Sequence, residues 1–229
     1  MDFALAMLCF LTAFALVIIG IVVLVFLGLR RIWRRTRSDQ LVLRGLIVVL
    51  GVGVVVAPYM AFKFEERRWI LAHVPQPLDV AEIEFRVEEL YGMGFMPGDN
   101  ETGFVVYRLT DASALWARDQ GRRLGEALEG TEGTWLVTPV DDRSTEQAVS
   151  QWHPYDNPPV RGAERIARDP PSVSEFLSKY GFEISIDARF EREANEAIQS
   201  GGSLYHYGPG GSVTIVDPNK GKVYFFYAG

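Results

Sequence analysis

The sequence GLRRIWRRTRSDQLVLR, residues 28–44, contains six arginines and one acid and separates two long apolar stretches. The first stretch, residues 3–28, has no charged residue, and the second, residues 41–62, has only Arg44. Each stretch is longer than the ~20 residues that an α-helix needs to cross a bilayer. Short loops rich in arginine stay in the cytoplasm. The sequence therefore predicts a two-helix transmembrane hairpin, residues 1–63, with both termini of the chain on the non-cytoplasmic side.

The charge of the chain changes sign after this hairpin. Residues 1–63 hold seven Lys/Arg and two Asp/Glu, whereas residues 64–229 hold 16 and 27. We expect a juxtamembrane linker at 64–78 and one acidic, non-cytoplasmic domain at 79–229. A domain this acidic argues against binding to nucleic acid or to anionic lipid. A basic protein partner or a cation remains compatible with its charge.

The cysteine and arginine counts narrow the class of protein. The only cysteine is Cys9, in the first apolar stretch, so the acidic domain has no disulfide and no CxxC-type zinc or redox site. Arginine outnumbers lysine by 19 to four, which suits a GC-rich bacterial genome. The sequence therefore predicts an integral protein of a bacterial inner membrane.

Helix and strand patterns alternate in the first half of the acidic domain. Asp79 and Glu82 form a capping-box pattern, and apolar residues follow at helical spacing as far as Gly92. The alternation within Ile83–Val87 also suits a strand, but the glutamates and the flanking stop signals favour a helix. After this helix the sequence predicts a strand at 104–109, a helix at 111–128 and a short strand at 135–137.

Regular patterns return after an irregular region. Residues 139–171 contain six prolines and little periodicity, which predicts a long loop. The sequence then predicts a helix at 172–180, a strand at 182–186, a helix from 187 to about 200, and a strand at 204–207. At the end, strands 213–216 and 223–227 flank the turn Asp217-Pro-Asn-Lys-Gly221. Mixed helices with a terminal hairpin predict an α+β domain with a largely antiparallel sheet.

Aromatic residues are the strongest indication of a binding role. In the last strand, residues 224–227 are all aromatic, so both faces of that strand carry rings. One face must build the core, and the other is exposed, covered by the long loop, or used by a partner. We expect a partner-binding surface to include the following aromatic and histidine residues: Trp152, His153, Tyr155, Tyr205 and Tyr207.

Motifs for catalysis, cofactors and metals are weak in this sequence. The three histidines lack metal-ligand spacing, and no serine lies in a GxSxG turn. The glycine-rich segments 201–203 and 208–212 do not precede helices, so they predict turns and not phosphate-binding loops. One loop cluster could converge on a hard cation, although solvated charges are the default interpretation: Asp141, Asp142, His153 and Asp156. We therefore predict no catalytic, cofactor-binding or metal-binding residue.

These patterns favour a membrane-anchored extracytoplasmic protein that binds another protein, as an accessory or assembly subunit of the cell envelope. An immunity-type inhibitor of an extracytoplasmic toxin has the same features. The alternative class is a membrane-tethered hydrolase that acts on envelope material. A carboxylate or His/Ser cluster in a pocket would favour the hydrolase, and a flat aromatic patch would favour protein binding.

Overall fold

The computed structural model describes residues 23, 26–31, 33–34, 41–90, 101–129, 134–154, 170–182 and 184–229. The chain divides into two compact units, Met1–Ile70 and Leu71–Gly229. The first unit is built around helix α1, Leu41–Leu71. Within α1, the 27-residue span Gly45–Leu71 contains an 18-residue window with a mean hydropathy of 2.3, so this helix is long and apolar enough to cross a membrane.

The predicted first transmembrane stretch lies almost entirely outside the described residues. Residues 26–31 and 33–34 are helical. A Cβ atom added to Gly51 of α1 would lie 3.5 Å from Cδ1 of Leu29, so the two helical segments approach each other closely at this glycine. Among the described residues, α1 is the one helix that has the length and composition of a membrane span.

The second unit is an α+β domain with a six-stranded sheet, as predicted. The strand order is β1-β2-β6-β5-β4-β3, and every neighbouring pair is antiparallel. The strands are β1 (Val80–Leu90), β2 (Glu101–Leu109), β3 (Leu136–Val137), β4 (Leu204–Gly208), β5 (Ser212–Asp217) and β6 (Lys222–Ala228).

Three of the helices in this unit start where the sequence predicts them. Asp187 caps α6 by accepting a hydrogen bond from the backbone N–H of Arg189, and Ser172 caps α5 through the N–H of Glu175. Helix α2 is shorter than predicted, because a 3-10 turn at Gly121–Arg123 interrupts it. The helices are α2 (Asp111–Gln120), α3 (Leu124–Ala127), α4 (Glu146–Trp152), α5 (Val173–Leu177) and α6 (Ala188–Gln199).

Three element predictions are wrong. The loop predicted at 139–171 contains helix α4, Glu146–Trp152. The helix predicted at 79–91 is strand β1, because the segment pairs with β2 from Val80 opposite Leu109 to Leu90 opposite Glu101. The alternation within Ile83–Val87 is therefore the correct signal, and the pairing with β2 has a register shift between Ile83 and Phe85. The predicted strand at 182–186 is not part of the sheet. Its described residues have no regular structure, although Ile184 and Ile186 pack against the core.

The terminal hairpin is confirmed. β5 and β6 pair from Ser212 opposite Tyr227 to Asp217 opposite Lys222. The Asp217 Oδ1 atom accepts hydrogen bonds of 3.0 Å from the backbone N–H groups of both Asn219 and Lys220. Gly221 follows with a φ of 63°, the left-handed conformation that glycine adopts without strain.

Both faces of the sheet are buried, so the consecutive aromatic residues of β6 are covered on each side of the strand. On the first face, Tyr224 and Phe226 belong to the main core together with residues of α4, α5 and α6. On the second face, Phe225 is buried and stacks on His73, with ring centroids 4.0 Å apart. The ring of Tyr227 lies 2.5 Å from the position that a Cβ of Gly103 would take. The aromatic residues of β6 therefore build two cores.

Candidate functional site

Four of the five predicted partner-binding residues lie together. Trp152 and His153 are at the C-terminal end of α4, and Tyr205 and Tyr207 are on β4. Trp152 Nε1 donates a hydrogen bond of 2.9 Å to Tyr207 Oη. The rings of Tyr205 and Tyr207 meet edge to face, with centroids 5.4 Å apart. Tyr155 lies outside the described residues.

An acidic side chain completes this cluster. Asp142 lies in the loop between β3 and α4, and its Oδ2 atom is 2.9 Å from His153 Nε2. The loop is held by Asp141, whose Oδ1 atom accepts a hydrogen bond from the backbone N–H of Arg143. Thr145 then caps α4 by accepting from the N–H of Ala148, which sets the position of the helix. We call Asp142, Trp152, His153, Tyr205 and Tyr207 the His–Tyr cluster.

The tyrosines of the His–Tyr cluster are neutral. Burial raises the pKa of Tyr207 well above its ordinary value, and the hydrogen bond from Trp152 opposes this shift only in part. Burial also raises the pKa of Tyr205. Both phenols therefore keep their protons at neutral pH, and they act as hydrogen-bonding and packing groups.

A lysine with a lowered pKa lies near Trp152. Lys179 Nζ donates a hydrogen bond of 2.7 Å to the backbone oxygen of Gln151 and sits 4.1 Å from the centre of the Phe176 ring. Burial lowers the pKa of Lys179 to about 8. This side chain ties the segment after α5 to the C-terminal end of α4.

Four residues of the His–Tyr cluster are buried, and one prediction about Trp152 is wrong. Trp152 belongs to helix α4 and is only 2% exposed, so the expectation that it lies in an irregular segment is wrong. His153, Tyr205 and Tyr207 are buried as well. The partner-binding role of these residues stays a prediction, and their burial gives them a packing role in the core. No group of three His, Cys, Asp or Glu side chains in the described ranges could hold a metal ion, and Asp156 lies outside those ranges.

Sequence reasoning missed a second feature, at the two edges of the sheet. β1 carries five charged residues among its 11, namely Glu82, Glu84, Arg86, Glu88 and Glu89. β3, at the opposite edge, has no charge, and its Val137 side chain is 67% exposed. Only the pairing of β3 with β4 shows that Leu136 and Val137 form an edge strand.

Comparison of the chain with family models, with curated proteins and with solved structures finds no match.

Proposed function

We propose that this chain is a membrane-anchored protein of the cell envelope whose acidic domain binds another protein on the non-cytoplasmic side. It would act as an accessory or assembly subunit of a membrane complex. The difference between the two edges of the sheet carries this proposal. The net negative charge of residues 64–229 favours a basic partner.

The anchoring part of the proposal rests on α1 and on the arginines that precede it. An apolar helix of this length satisfies its backbone hydrogen bonds internally, as a membrane span must. The approach of Leu29 to Gly51 supports a second helix antiparallel to the first, and a small residue at such a contact allows close packing. The six arginines in residues 28–44 favour a cytoplasmic position for the connecting loop. Both termini would then lie outside an inner membrane.

The binding part rests on β3. An edge strand offers unpaired backbone groups to another chain, and proteins usually protect such edges with charges. β1 has this protection and β3 lacks it. In an antiparallel pair, successive residues alternate between positions that hydrogen-bond to the neighbouring strand and positions whose backbone groups point away from it. Thr138 N donates a hydrogen bond to Ser203 O. The backbone N–H and C=O groups of the preceding residue, Val137, therefore point away from β4. An extended segment of a partner could pair with Val137 and cover its side chain.

The test is co-purification of the full-length chain from its native membranes in mild detergent, with quantitative mass spectrometry. Val137→Lys should remove the specific partner, because it puts a charge on the open edge. Leu115→Lys is the matched control, since Leu115 is 56% exposed but lies on helix α2. Retention of the partner by the Val137 variant would refute the proposal. An envelope subunit among the captured proteins would indicate an assembly role, and a toxin would indicate an inhibitor.

A membrane-tethered hydrolase is the second candidate, and the buried His153, with its Nε2 atom 2.9 Å from Asp142 Oδ2, favours it. A carboxylate that orients a histidine is a common arrangement for a general base. If the chain is a hydrolase, it should cleave envelope material, and Asp142→Asn should abolish that cleavage. Cleavage that survives this substitution would exclude the pair as its cause.

A further inference from the structure

A cavity of about 620 Å³ lies beside β3 in the second unit. Its wall is mostly apolar and includes Ala117 of α2, Leu124 of α3, Leu204 of β4 and Pro218 of the terminal hairpin. Four polar residues, Arg118, Arg122, Ser203 and Asn219, line the same cavity. We call this cavity the edge pocket.

The two arginines of the edge pocket have no acidic partner among the described residues. Arg118 Nε donates a hydrogen bond of 3.2 Å to the backbone oxygen of Ala114, which holds the side chain along its helix. That bond uses one of the five N–H donors of the guanidinium, and those on the terminal nitrogens can bind a ligand. Cations on the sheet differ, because Arg86, Arg108 and Lys222 each pair with a glutamate.

Hydrogen bonds hold the walls of the edge pocket in place. Thr138 Oγ1 donates to the backbone oxygen of Ser200 at 2.6 Å and accepts from the N–H of Ser203 at 3.1 Å. Gly202, between these two serines, has a φ of 111°, and a Cβ there would lie 3.1 Å from Asn219 Nδ2. A glycine at this position therefore leaves room for the asparagine amide. These contacts give the pocket its shape before any ligand binds.

We infer that the edge pocket binds a small amphiphile that has an apolar body and one anionic group, either phosphate or carboxylate. Small-molecule sites are concave and mostly apolar, with volumes of roughly 300–1,000 Å³ and a few convergent polar groups. The guanidinium group matches the geometry of phosphate and carboxylate oxygens. Because neither arginine has an acidic partner among the described residues, the two guanidinium groups favour an anionic group in this pocket. Val137 of β3 also lines the edge pocket, so this site adjoins the strand at which the protein partner is proposed to bind.

The probe is hexyl phosphate, titrated by calorimetry into the full-length protein in phosphatidylcholine nanodiscs, with empty nanodiscs as the blank. We expect saturable binding of one ligand per chain. The double variant Arg118→Gln/Arg122→Gln should weaken binding by about tenfold or more, because it removes charge-assisted hydrogen bonds. Arg123→Gln is the matched control, since this arginine is adjacent in sequence but does not line the pocket. It should change the affinity by less than about twofold.

Three further ligands separate the contribution of the anionic group to the binding affinity from that of the apolar body. 1-Hexanol has the same body without charge, and inorganic phosphate has the charge without the body, so both should bind more weakly than hexyl phosphate. Hexanoate distinguishes a carboxylate-selective pocket from a phosphate-selective one. Absence of binding by both hexyl phosphate and hexanoate would overturn the inference. So would equal binding of hexanol, or an Arg123→Gln effect as large as that of the double variant. Loss of hexyl phosphate binding by the double variant, with the protein partner retained, would assign the two arginines to the small ligand and not to the partner.

Discussion

Trp152 shows how one side chain connects several elements of the domain. Its ring meets those of Phe176 on α5 and Phe226 on β6, with centroids 5.1 Å and 6.1 Å away. Its indole N–H is satisfied by Tyr207 on β4. A buried tryptophan with its polar atom paired contributes both apolar area and a directional bond. The residue therefore determines how α4 sits on the sheet.

Trp152→Ala should lower the free energy of unfolding by about 3–5 kcal/mol, because it leaves a cavity in the core and an unpaired Tyr207 hydroxyl. Trp152→Phe should cost less, since it keeps an aromatic ring and loses only the hydrogen bond and part of the packing. The exposed Leu115→Ala is the reference, with a change within about 0.5 kcal/mol. Chemical unfolding followed by far-UV circular dichroism measures all three. If Trp152→Ala were as mild as the reference, the residue would be free for partner binding.

At the scale of elements, Lys222 links three of them. Its Nζ lies 2.7 Å from Glu84 of β1 and 2.6 Å from Glu193 of α6, while the lysine itself is on β6. Burial alone would lower the pKa of Lys222, but the hydrogen bonds to Glu193 and Glu84 raise it above its ordinary value. The ion pairs are thus stronger than the cost of burial, and they hold the first edge strand against α6.

Lys222→Met should reduce the free energy of unfolding by about 1–3 kcal/mol at neutral pH, because Glu193 loses its cation and Glu84 keeps only Arg108 among the described residues. The stabilisation from Lys222 is complete below its ordinary pKa of 10.5 and is lost as the pH rises through the raised value. Lys220→Met is the control, since its partner Glu196 is well exposed, and its effect should be much smaller. Equal effects of the two variants in urea unfolding would contradict this account.

The predictability of the elements depends on how local their signals are. The β5–β6 turn and the caps at Ser172 and Asp187 are each specified within a few adjacent residues, so the sequence predicts them. β1 is different, because its identity comes from pairing with a strand more than ten residues away, while its local capping-box pattern and glutamates favour a helix. The sequence identified Trp152, His153, Tyr205 and Tyr207 as a set, but their burial depends on the packing of α4 on β4. The edge pocket joins residues from Ala117 to Asn219 and has no local signal at all.

At the scale of the whole molecule, the proposed topology is open to a direct test. A reporter that is active only outside the cytoplasm should be active when fused after Gly229 and inactive when fused after Thr36, in the arginine-rich loop. The physical reason is the retention of arginine-rich loops in the cytoplasm. A second reporter, active only in the cytoplasm, should give the reverse pattern. Cytoplasmic activity at Gly229 would contradict the two-span anchor and the extracytoplasmic assignment.

The unequal edges of the sheet also limit the size of any assembly built on it. A head-to-tail array of copies would require β3 of one chain to pair with β1 of the next, and such an array has no natural end. The charges along β1 oppose that pairing. We therefore expect a complex that forms at β3 to have a fixed stoichiometry and not to extend into a filament.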